Sequence, residues 1–212
     1  MNSVKIRKKI IEVTKNSIRE KLNLNSEGNV SFKLGDQIYI TPSGINGLSI
    51  KESDICQLSL KGDIKGKKKP SSELSLHLKI YENFSDINSI VHTHSMWASI
   101  ISCMQLDIPS FHYMVAEFGG DNIRCAEYAT FGTVELGAKV VKALNERNGC
   151  LLSNHGQVTI GKNLDEAFSL SKALEKISKQ YYFCFLSKTC NILDKKEMKK
   201  ILNLFSDYKS KY

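Results

Sequence analysis

Two histidines separated by one residue follow an apolar pair in the sequence Ile-Val-His-Thr-His-Ser, residues 90–95. Such a run predicts the end of a buried strand, in which side chains two positions apart point to the same face. His92 and His94 would then lie side by side, an arrangement that can bind a metal ion. Taken alone, the pair is explained equally well by histidines that bind nothing.

A catalytic zinc ion needs one or two further ligands, because such sites use three protein ligands and keep one position open. Two residues elsewhere in the chain could supply them. His155 follows the apolar stretch of residues 150–153, and Glu73 ends the sequence Pro-Ser-Ser-Glu. His77, four positions after Glu73, is rejected as a ligand because His155 lies in more apolar surroundings.

Three short segments combine glycine, asparagine or serine in a way that could bind an anion. They are Gly28-Asn29, Ser43-Gly44 and Ser71-Ser72. The first two lie at the ends of a predicted β-hairpin, where backbone N–H groups freed by glycine can form an anion-binding nest. The third falls in the first turn of a helix predicted to run from Pro70 to about Tyr81, where unpaired N–H groups favour phosphate. Ordinary turn formation and helix capping are the alternatives.

The hydrophobic periodicity predicts the elements that position these residues. Helical spacing occurs at 2–22, 96–104, 133–144, 164–186 and 195 to about 205; strand patterns occur at 30–34, 37–41, 54–60, 123–125, 150–153 and 157–160. The last strand either pairs with the one before it or continues it. The sequence therefore predicts a single α/β domain over residues 1–212, with a central, mostly antiparallel sheet and helices on both faces.

Composition limits the class of protein. Of 212 residues, 42% are hydrophobic and 25% charged, which is ordinary for a globular domain. No apolar run reaches the roughly 18 residues of a membrane span, and the first residues lack the apolar core of a signal peptide, so a cytoplasmic protein without membrane contact is expected. Six cysteines without a C-x-x-C pair predict reduced, mostly buried thiols with no assigned role.

The net charge of +8 is compatible with nucleic acid, an anionic membrane or a small anionic substrate. Lysines are spread along the whole chain and no aromatic-basic motif accompanies them, so nucleic acid is not expected as a partner. The densest cluster, at residues 61–69, is interpreted as a solvated hairpin turn; the alternative is a positive rim that steers a phosphorylated substrate.

Together, the motifs resemble those of the class II aldolase/adducin family over nearly the whole chain. The set comprises Gly28-Asn29, Thr41-Pro42-Ser43-Gly44, Pro70-Ser71-Ser72-Glu73, His92-x-His94 and His155-Gly156. The likeness is greatest to the branch that cleaves L-fuculose 1-phosphate, which is also similar around residues 112–114, 119–120 and 125–133. The resemblance implies zinc-dependent cleavage of a ketose 1-phosphate to dihydroxyacetone phosphate and a small aldehyde.

The resemblance also implies roles for individual residues. One zinc ion per subunit would be bound by His92, His94, His155 and Glu73. Glu73 would leave the metal when substrate arrives and act as a base. The phosphate pocket would be formed by Gly28, Asn29, Ser43, Gly44, Ser71 and Ser72. Tyr113 resembles a proton donor that reaches the site of a neighbouring subunit in a homotetramer with active sites at subunit interfaces. Tyr208 resembles a tyrosine that closes over the aldehyde, in the region lined by Phe131.

Two departures and three alternatives accompany this interpretation. Ser43 replaces a threonine and keeps the hydroxyl, whereas Asn154 stands where histidine is common. A ribulose-phosphate 4-epimerase or a methylthioribulose-1-phosphate dehydratase would share the metal and phosphate motifs, but the glutamate at position 73 and the segment around Tyr113 favour an aldolase. A non-enzymatic, adducin-like interaction module would lack the metal histidines.

Overall fold

A computed structural model describes the chain from residue 2 to residue 211 and its side chains from residue 2 to residue 207. The helices in this part of the chain are α1 (Ser3–Arg19), α2 (Leu74–Asn83), α3 (Met96–Cys103), α4 (Val134–Leu144), α5 (Leu164–Ser187) and α6 (Lys195–Lys211). The strands are β1 (Asn29–Leu34), β2 (Gln37–Ile40), β3 (Cys56–Ser59), β4 (Ile64–Lys65), β5 (Ser89–Thr93), β6 (Ile108–Pro109), β7 (Asn122–Ile123), β8 (Cys125–Ala126), β9 (Gly149–Leu152) and β10 (Gly156–Gly161).

Eight of the described strands form one sheet in the order β4-β3-β2-β1-β5-β10-β9-β8. Every neighbouring pair is antiparallel except β8 and β9, which run parallel. The strands β6 and β7 form a separate two-stranded ladder. The predicted α/β fold with a mostly antiparallel sheet is therefore confirmed, and β10 pairs with β9 rather than continuing it.

Helices cover both faces of the sheet, as the alternation of apolar side chains along β5 illustrates. Ile90 packs with Leu76 of α2 and Val140 of α4 in one buried cluster. Val91, the next residue, packs with Ile10 of α1 and with α5 in a second cluster on the opposite face. His92 lies two residues after Ile90 on β5, so its side chain points to the same face of the sheet, toward α2.

The helix predicted from Pro70 begins four residues later, at Leu74. The chain at Pro70 and Ser71 is extended instead, and a turn at Ser72 and Glu73 leads into the helix. The extended part pairs with the chain beyond β2: Pro70 forms a β-bridge with Pro42, and the N–H of Ser71 donates to the carbonyl of Thr41. The prediction was wrong because Pro suits both a first helical turn and an extended edge. The two serines consequently precede the helix.

The strand predicted at residues 123–125 is also wrong as a single element. It divides at Arg124 into β7 and β8, which belong to different sheets. Cys125 N–H donates to the Asp107 carboxylate at 2.8 Å, and β8 then joins β9. A run of three residues is too short for its pattern to distinguish one strand from two.

The thiols are less buried than expected. All six cysteines are free, but only Cys56 and Cys150 are buried, whereas Cys103 is exposed. Among the described helices, none is both long and apolar enough to cross a membrane. The lysines of residues 61–69 are exposed on the hairpin of β3 and β4, which matches the interpretation as a solvated turn.

Candidate metal centre and anion pocket

The sheet register places His92 beside Asn29. His92 of β5 lies opposite Asn29 of β1 on one side and opposite Val158 of β10 on the other. His92 is fully buried, and its Nδ1 donates to the backbone carbonyl of Gln157 at 2.8 Å. A carbonyl oxygen can only accept, so Nδ1 carries the proton and Nε2 is the nitrogen that faces the site.

The turn between β9 and β10 delivers His155 to the same point. Gly156 follows it, and a Cβ atom at this glycine would collide with the carbonyl oxygen of Thr93 and lie 3.2 Å from the Cα of His94. The absence of a side chain therefore lets β10 approach the end of β5 closely. His94 itself is held by its backbone N–H, which donates to Asn23 Oδ1 at 2.9 Å.

Four ligand atoms converge within 4.8 Å of one another, from Glu73 and the three histidines. The Nε2 atom of His94 lies 2.9 Å from that of His92 and 3.1 Å from that of His155. Glu73 Oε2 lies 2.9 Å from His92 Nε2, and Oε1 lies 3.5 Å from His155 Nε2. The three rings are pairwise 4.8 Å apart with interplanar angles of 66–75°, as around a common centre.

The donor set fits a metal ion better than it fits protons. Glu73 Oε1 is buried and has no hydrogen-bond partner among the described residues. One proton can bridge only one pair of these atoms, whereas a zinc ion accepts lone pairs from several imidazoles and a carboxylate together. Imidazole nitrogens and carboxylate oxygens are both zinc ligands, so the residues present fit this group.

The electrostatics of the cluster leave one proton for a metal ion to displace. Burial lowers the pKa of His92, but the charge of Glu73 and a hydrogen bond to it outweigh burial and raise this pKa. Burial raises the pKa of the Glu73 carboxyl, but the charge of His92 and hydrogen bonds from His92 and Asn29 outweigh burial and hold this pKa below its usual range. Burial, reinforced by repulsion from His92, lowers the pKa of His94 to about 3 and that of His155 to about 4. These two imidazoles are thus neutral at pH 7, the form that binds metals.

A single cavity of about 500 Å³ opens above this cluster. Its lining includes every residue of the three predicted anion-binding segments, Gly28, Asn29, Ser43, Gly44, Ser71 and Ser72, together with Glu73, His94, His155 and Phe131. His92 lies beneath the floor. The pairing of residues 41–43 with 69–71 brings the two serine-containing segments side by side, so residues distant in sequence share one wall.

Two predicted site residues, Tyr113 and Tyr208, are not among the described residues that line this cavity. Tyr113 is 52% exposed, begins a 3-10 helix (Tyr113–Phe118) and stacks on His112 with ring centroids 5.0 Å apart; it does not line the cavity. Tyr208 lies in α6, but its side chain is outside the described residues. The roles of both tyrosines therefore stay predictions.

Several residues at the site were missed by sequence reasoning. Glu175 of α5 accepts hydrogen bonds from the N–H groups of Trp97 and Ala98, and so caps α3 directly after the histidine pair. Tyr128 and Ser26 line the cavity. Only Tyr128, inside a segment already noted for its family resemblance, carried a signal in the sequence; the others depend on contacts between distant elements.

Comparison with known proteins agrees with the fold. Residues 8–182 match the family described as Class II Aldolase and Adducin N-terminal domain. A 5-methylthioribulose-1-phosphate/5-deoxyribulose-1-phosphate aldolase of Rhodospirillum rubrum is 38% identical over 187 residues, covering 88% of this chain and 85% of the relative. An L-fuculose phosphate aldolase of Haemophilus influenzae is 35% identical over 210 residues, covering 98% and 97%.

A solved structure of an L-fuculose 1-phosphate aldolase superposes with a TM-score of 0.93 at 34% identity, covering 97% of this chain and 98% of that one. The chain therefore belongs to the class II aldolase and adducin family. Within this family it is an enzyme of the metal-dependent aldehyde-lyase class.

Gly28 and Gly35 provide a matched test of the close packing around Gly28, in the first of the three predicted anion-binding segments. Both have positive φ, +64° and +55°, but only at Gly28 would a Cβ collide with Asn23 and approach the carbonyl oxygen of His92 to 2.5 Å. Gly35→Ala should cost about 1–2 kcal/mol of unfolding free energy, and Gly28→Ala about 1–3 kcal/mol more. Urea unfolding measures both; equal losses would contradict the proposed close packing.

The second prediction concerns the metal. The purified protein is expected to hold about one divalent transition ion per chain, because a zinc site of this type has three protein nitrogens and a carboxylate. His155→Ala should lose the ion, as measured by elemental analysis after dialysis. His112→Ala, which removes a histidine outside the cluster, is the control and should keep it. Full occupancy in His155→Ala would remove the proposed site.

Proposed function

We propose that the protein is a zinc-dependent aldolase that cleaves a ketose 1-phosphate, of the L-fuculose 1-phosphate type, to dihydroxyacetone phosphate and a small aldehyde. One observation carries the proposal: Glu73, His94 and His155 of the metal-ligand cluster line the same cavity as the glycine- and serine-rich segments. A metal-ligand set and an anion pocket in one cavity are what cleavage of a phosphorylated ketose requires.

The residues of the cluster divide the chemistry between them. His92, His94, His155 and Glu73 would hold the zinc ion, which when bound would stabilise, as a Lewis acid, the negative charge that cleavage leaves beside the substrate carbonyl. Glu73 would exchange a proton with the carbon next to that carbonyl. Its pKa, held low inside the cluster, should rise once the carboxylate moves away from the positive charges into a desolvated pocket.

The phosphate would be bound by neutral groups, since none of the described residues that line the cavity is a lysine or an arginine. Backbone N–H groups of the glycine segments and the hydroxyls of Ser43, Ser71 and Ser72 would donate to it. The Ser71 Oγ already accepts from the N–H of Glu73 at 3.2 Å, which leaves its own proton free to donate. Phosphate binding would thereby fix the substrate relative to Glu73 and use binding energy for orientation.

The aldehyde half of the substrate is the open part of the proposal. Relatives reported above are named for L-fuculose phosphate and for 5-methylthioribulose 1-phosphate or 5-deoxyribulose 1-phosphate. A 5-deoxy- or 5-methylthio-ketose phosphate is therefore the second candidate, supported by the 38% identical relative. None of those relatives is an epimerase or a dehydratase, so these two alternatives gain no support.

A screen of ketose phosphates tests the proposal. L-Fuculose 1-phosphate, 5-deoxyribulose 1-phosphate and 5-methylthioribulose 1-phosphate would be supplied separately, and release of dihydroxyacetone phosphate measured with zinc content on the same sample. At least one should be cleaved, and cleavage should disappear after chelation and return with zinc. A fully loaded protein that released the product from none of them would disprove the proposal.

Variants of Glu73 and Tyr113 should differ in whether they keep one half of the reaction, the exchange of a substrate proton with solvent. Glu73→Gln should lose most cleavage and also lose exchange of a dihydroxyacetone phosphate proton with solvent, because an amide cannot take that proton. Tyr113→Phe should lose cleavage but keep exchange, because the exchange needs no proton donor at the aldehyde end. Deuterium incorporation followed by NMR measures the exchange. Exchange at the parent rate in Glu73→Gln would leave Glu73 as a metal ligand only.

We also propose a homotetramer with active sites at subunit interfaces, which is supported by the exposed position of Tyr113 away from its own cavity. In such an assembly Tyr113 would serve a neighbour's cavity, and the Tyr208 side chain would close over the aldehyde beside Phe131. Co-expressed Glu73→Gln and Tyr113→Phe chains should then regain activity, since about a quarter of the sites in a random cyclic mixture combine the intact Glu73 with an intact neighbouring tyrosine. Mixtures no more active than the separate variants would place Tyr113 in its own site.

A further inference from the structure

His77 is a fully buried histidine to which the proposed chemistry gives no task. It lies in α2, one helical turn after Glu73. Its Nε2 is 2.5 Å from Asn29 Oδ1 and its Nδ1 is 2.6 Å from Ser31 Oγ. Asn29 in turn donates from Nδ2 to Glu73 Oε2 at 3.0 Å. We propose that His77 is a positioning residue that acts through Asn29 to hold the Glu73 carboxylate in place.

The fold makes this contact a rigid one. Asn29 and Ser31 are two residues apart on β1 and therefore project from the same face, toward α2. His77 and Tyr81 are four residues apart on α2 and share its buried face. The Tyr81 hydroxyl lies 2.8 Å from Ser31 Oγ. A strand and a helix thus enclose a chain of hydrogen bonds that ends at Glu73.

The hydrogen bonds have only one consistent direction. The Glu73 carboxylate can only accept, so the Asn29 amide presents its NH₂ group to Glu73 and its oxygen to His77. That oxygen can only accept, so His77 carries a proton on Nε2. His77 is fully buried and both of its ring nitrogens face neutral groups, the Asn29 amide and the Ser31 hydroxyl, which disfavours a charged imidazolium, so the ring is neutral and Nδ1 is an acceptor.

The remaining bonds follow from the neutral ring. Ser31 donates its single proton to His77 Nδ1, so at 2.8 Å its oxygen accepts from the Tyr81 hydroxyl, whose one proton is shared with the Asn88 carbonyl oxygen at 3.2 Å. The direction is therefore Tyr81 to Ser31 to His77 to Asn29 to Glu73. An Asn29 side chain rotated by 180° would turn its oxygen toward the carboxylate and its NH₂ group toward the His77 N–H, which is repulsive at both ends. His77 thus selects the amide orientation that donates to Glu73.

This inference rests on the proposed function, because the position of the carboxylate matters only if Glu73 binds the metal and acts on substrate. It gives Asn29 a second task besides lining the anion pocket. When Glu73 moves during the reaction, the fixed NH₂ group of Asn29 provides a constant point to which the carboxylate returns.

The test compares His77→Leu, which cannot donate, with His77→Gln, whose side-chain N–H can. His77→Leu should retain one zinc ion per chain and lose about 10- to 100-fold in kcat, the usual effect of removing a residue that orients a metal ligand. His77→Gln should recover most of the loss. Ser31→Ala should lower kcat in the same direction. Its control is Ser89→Ala, which removes a buried serine hydroxyl bonded to the Gly161 carbonyl on β10 and should leave kcat unchanged.

A double-mutant cycle separates positioning from general stability. Because His77 acts only through Asn29, adding His77→Leu to Asn29→Ala should cause no further loss, either in kcat or in zinc affinity. Additive losses would show that His77 affects the site by another route and would overturn the inference. An unchanged kcat and zinc affinity in His77→Leu would overturn it as well.

Two measurements test the inference without an activity assay. The first is the double-mutant cycle of His77→Leu and Asn29→Ala measured in zinc affinity. The second uses long-range ¹⁵N–¹H spectra of the histidine-labelled, zinc-loaded protein, which should show His77 protonated at Nε2 and not at Nδ1; the opposite tautomer would overturn the inference, even if His77→Leu failed to fold. If the parent protein cleaved no ketose phosphate, the proposed function would fail while these two measurements still decided the role of His77.

Discussion

The close approach of one carboxylate and three imidazoles in a buried position is the constraint on which the rest of the site depends. Their lone pairs face one another at 2.9–3.5 Å, which is repulsive unless a cation lies among them. A fold can hold such a set only if the residues that carry it are fixed by contacts outside the cluster. Much of the polar structure near the sheet ends serves that purpose.

Three members of the cluster are held from three different parts of the chain. A backbone carbonyl of β10 fixes the ring of His92, Asn23 fixes the backbone at His94, and Asn29 of β1 holds Glu73. The supports come from strands and from residues packed on them, and such elements position side chains more accurately than free loops do. The arrangement also explains why the metal residues are spread over more than 80 positions of sequence.

The cavity divides its electrostatics between two walls. The wall of glycine, asparagine and serine offers neutral donors, whereas the floor concentrates the ionised Glu73 and the histidines. A phosphate bound by such neutral donors would lie away from the reacting end. The described lining of the cavity has no lysine or arginine that would pair with the Glu73 carboxylate. The position of Tyr113 outside this cavity fits a site that is completed between subunits, so the monomer fold and the proposed assembly bear on the same chemistry.

The sequence alone determined the family, the fold class and the motifs whose residues line most of the cavity, because strand periodicity and short motifs are local patterns. It placed His92 and His94 on one face and brought the Gly28 and Ser43 segments together. It did not determine the start of α2, the division of residues 123–125 or the task of His77. The start of α2 depended on the pairing of Pro70 with Pro42, and the division of residues 123–125 depended on Asp107. The task of His77 depended on the packing of β1 against α2. Contacts between elements far apart in sequence decide such features, and no local pattern records them.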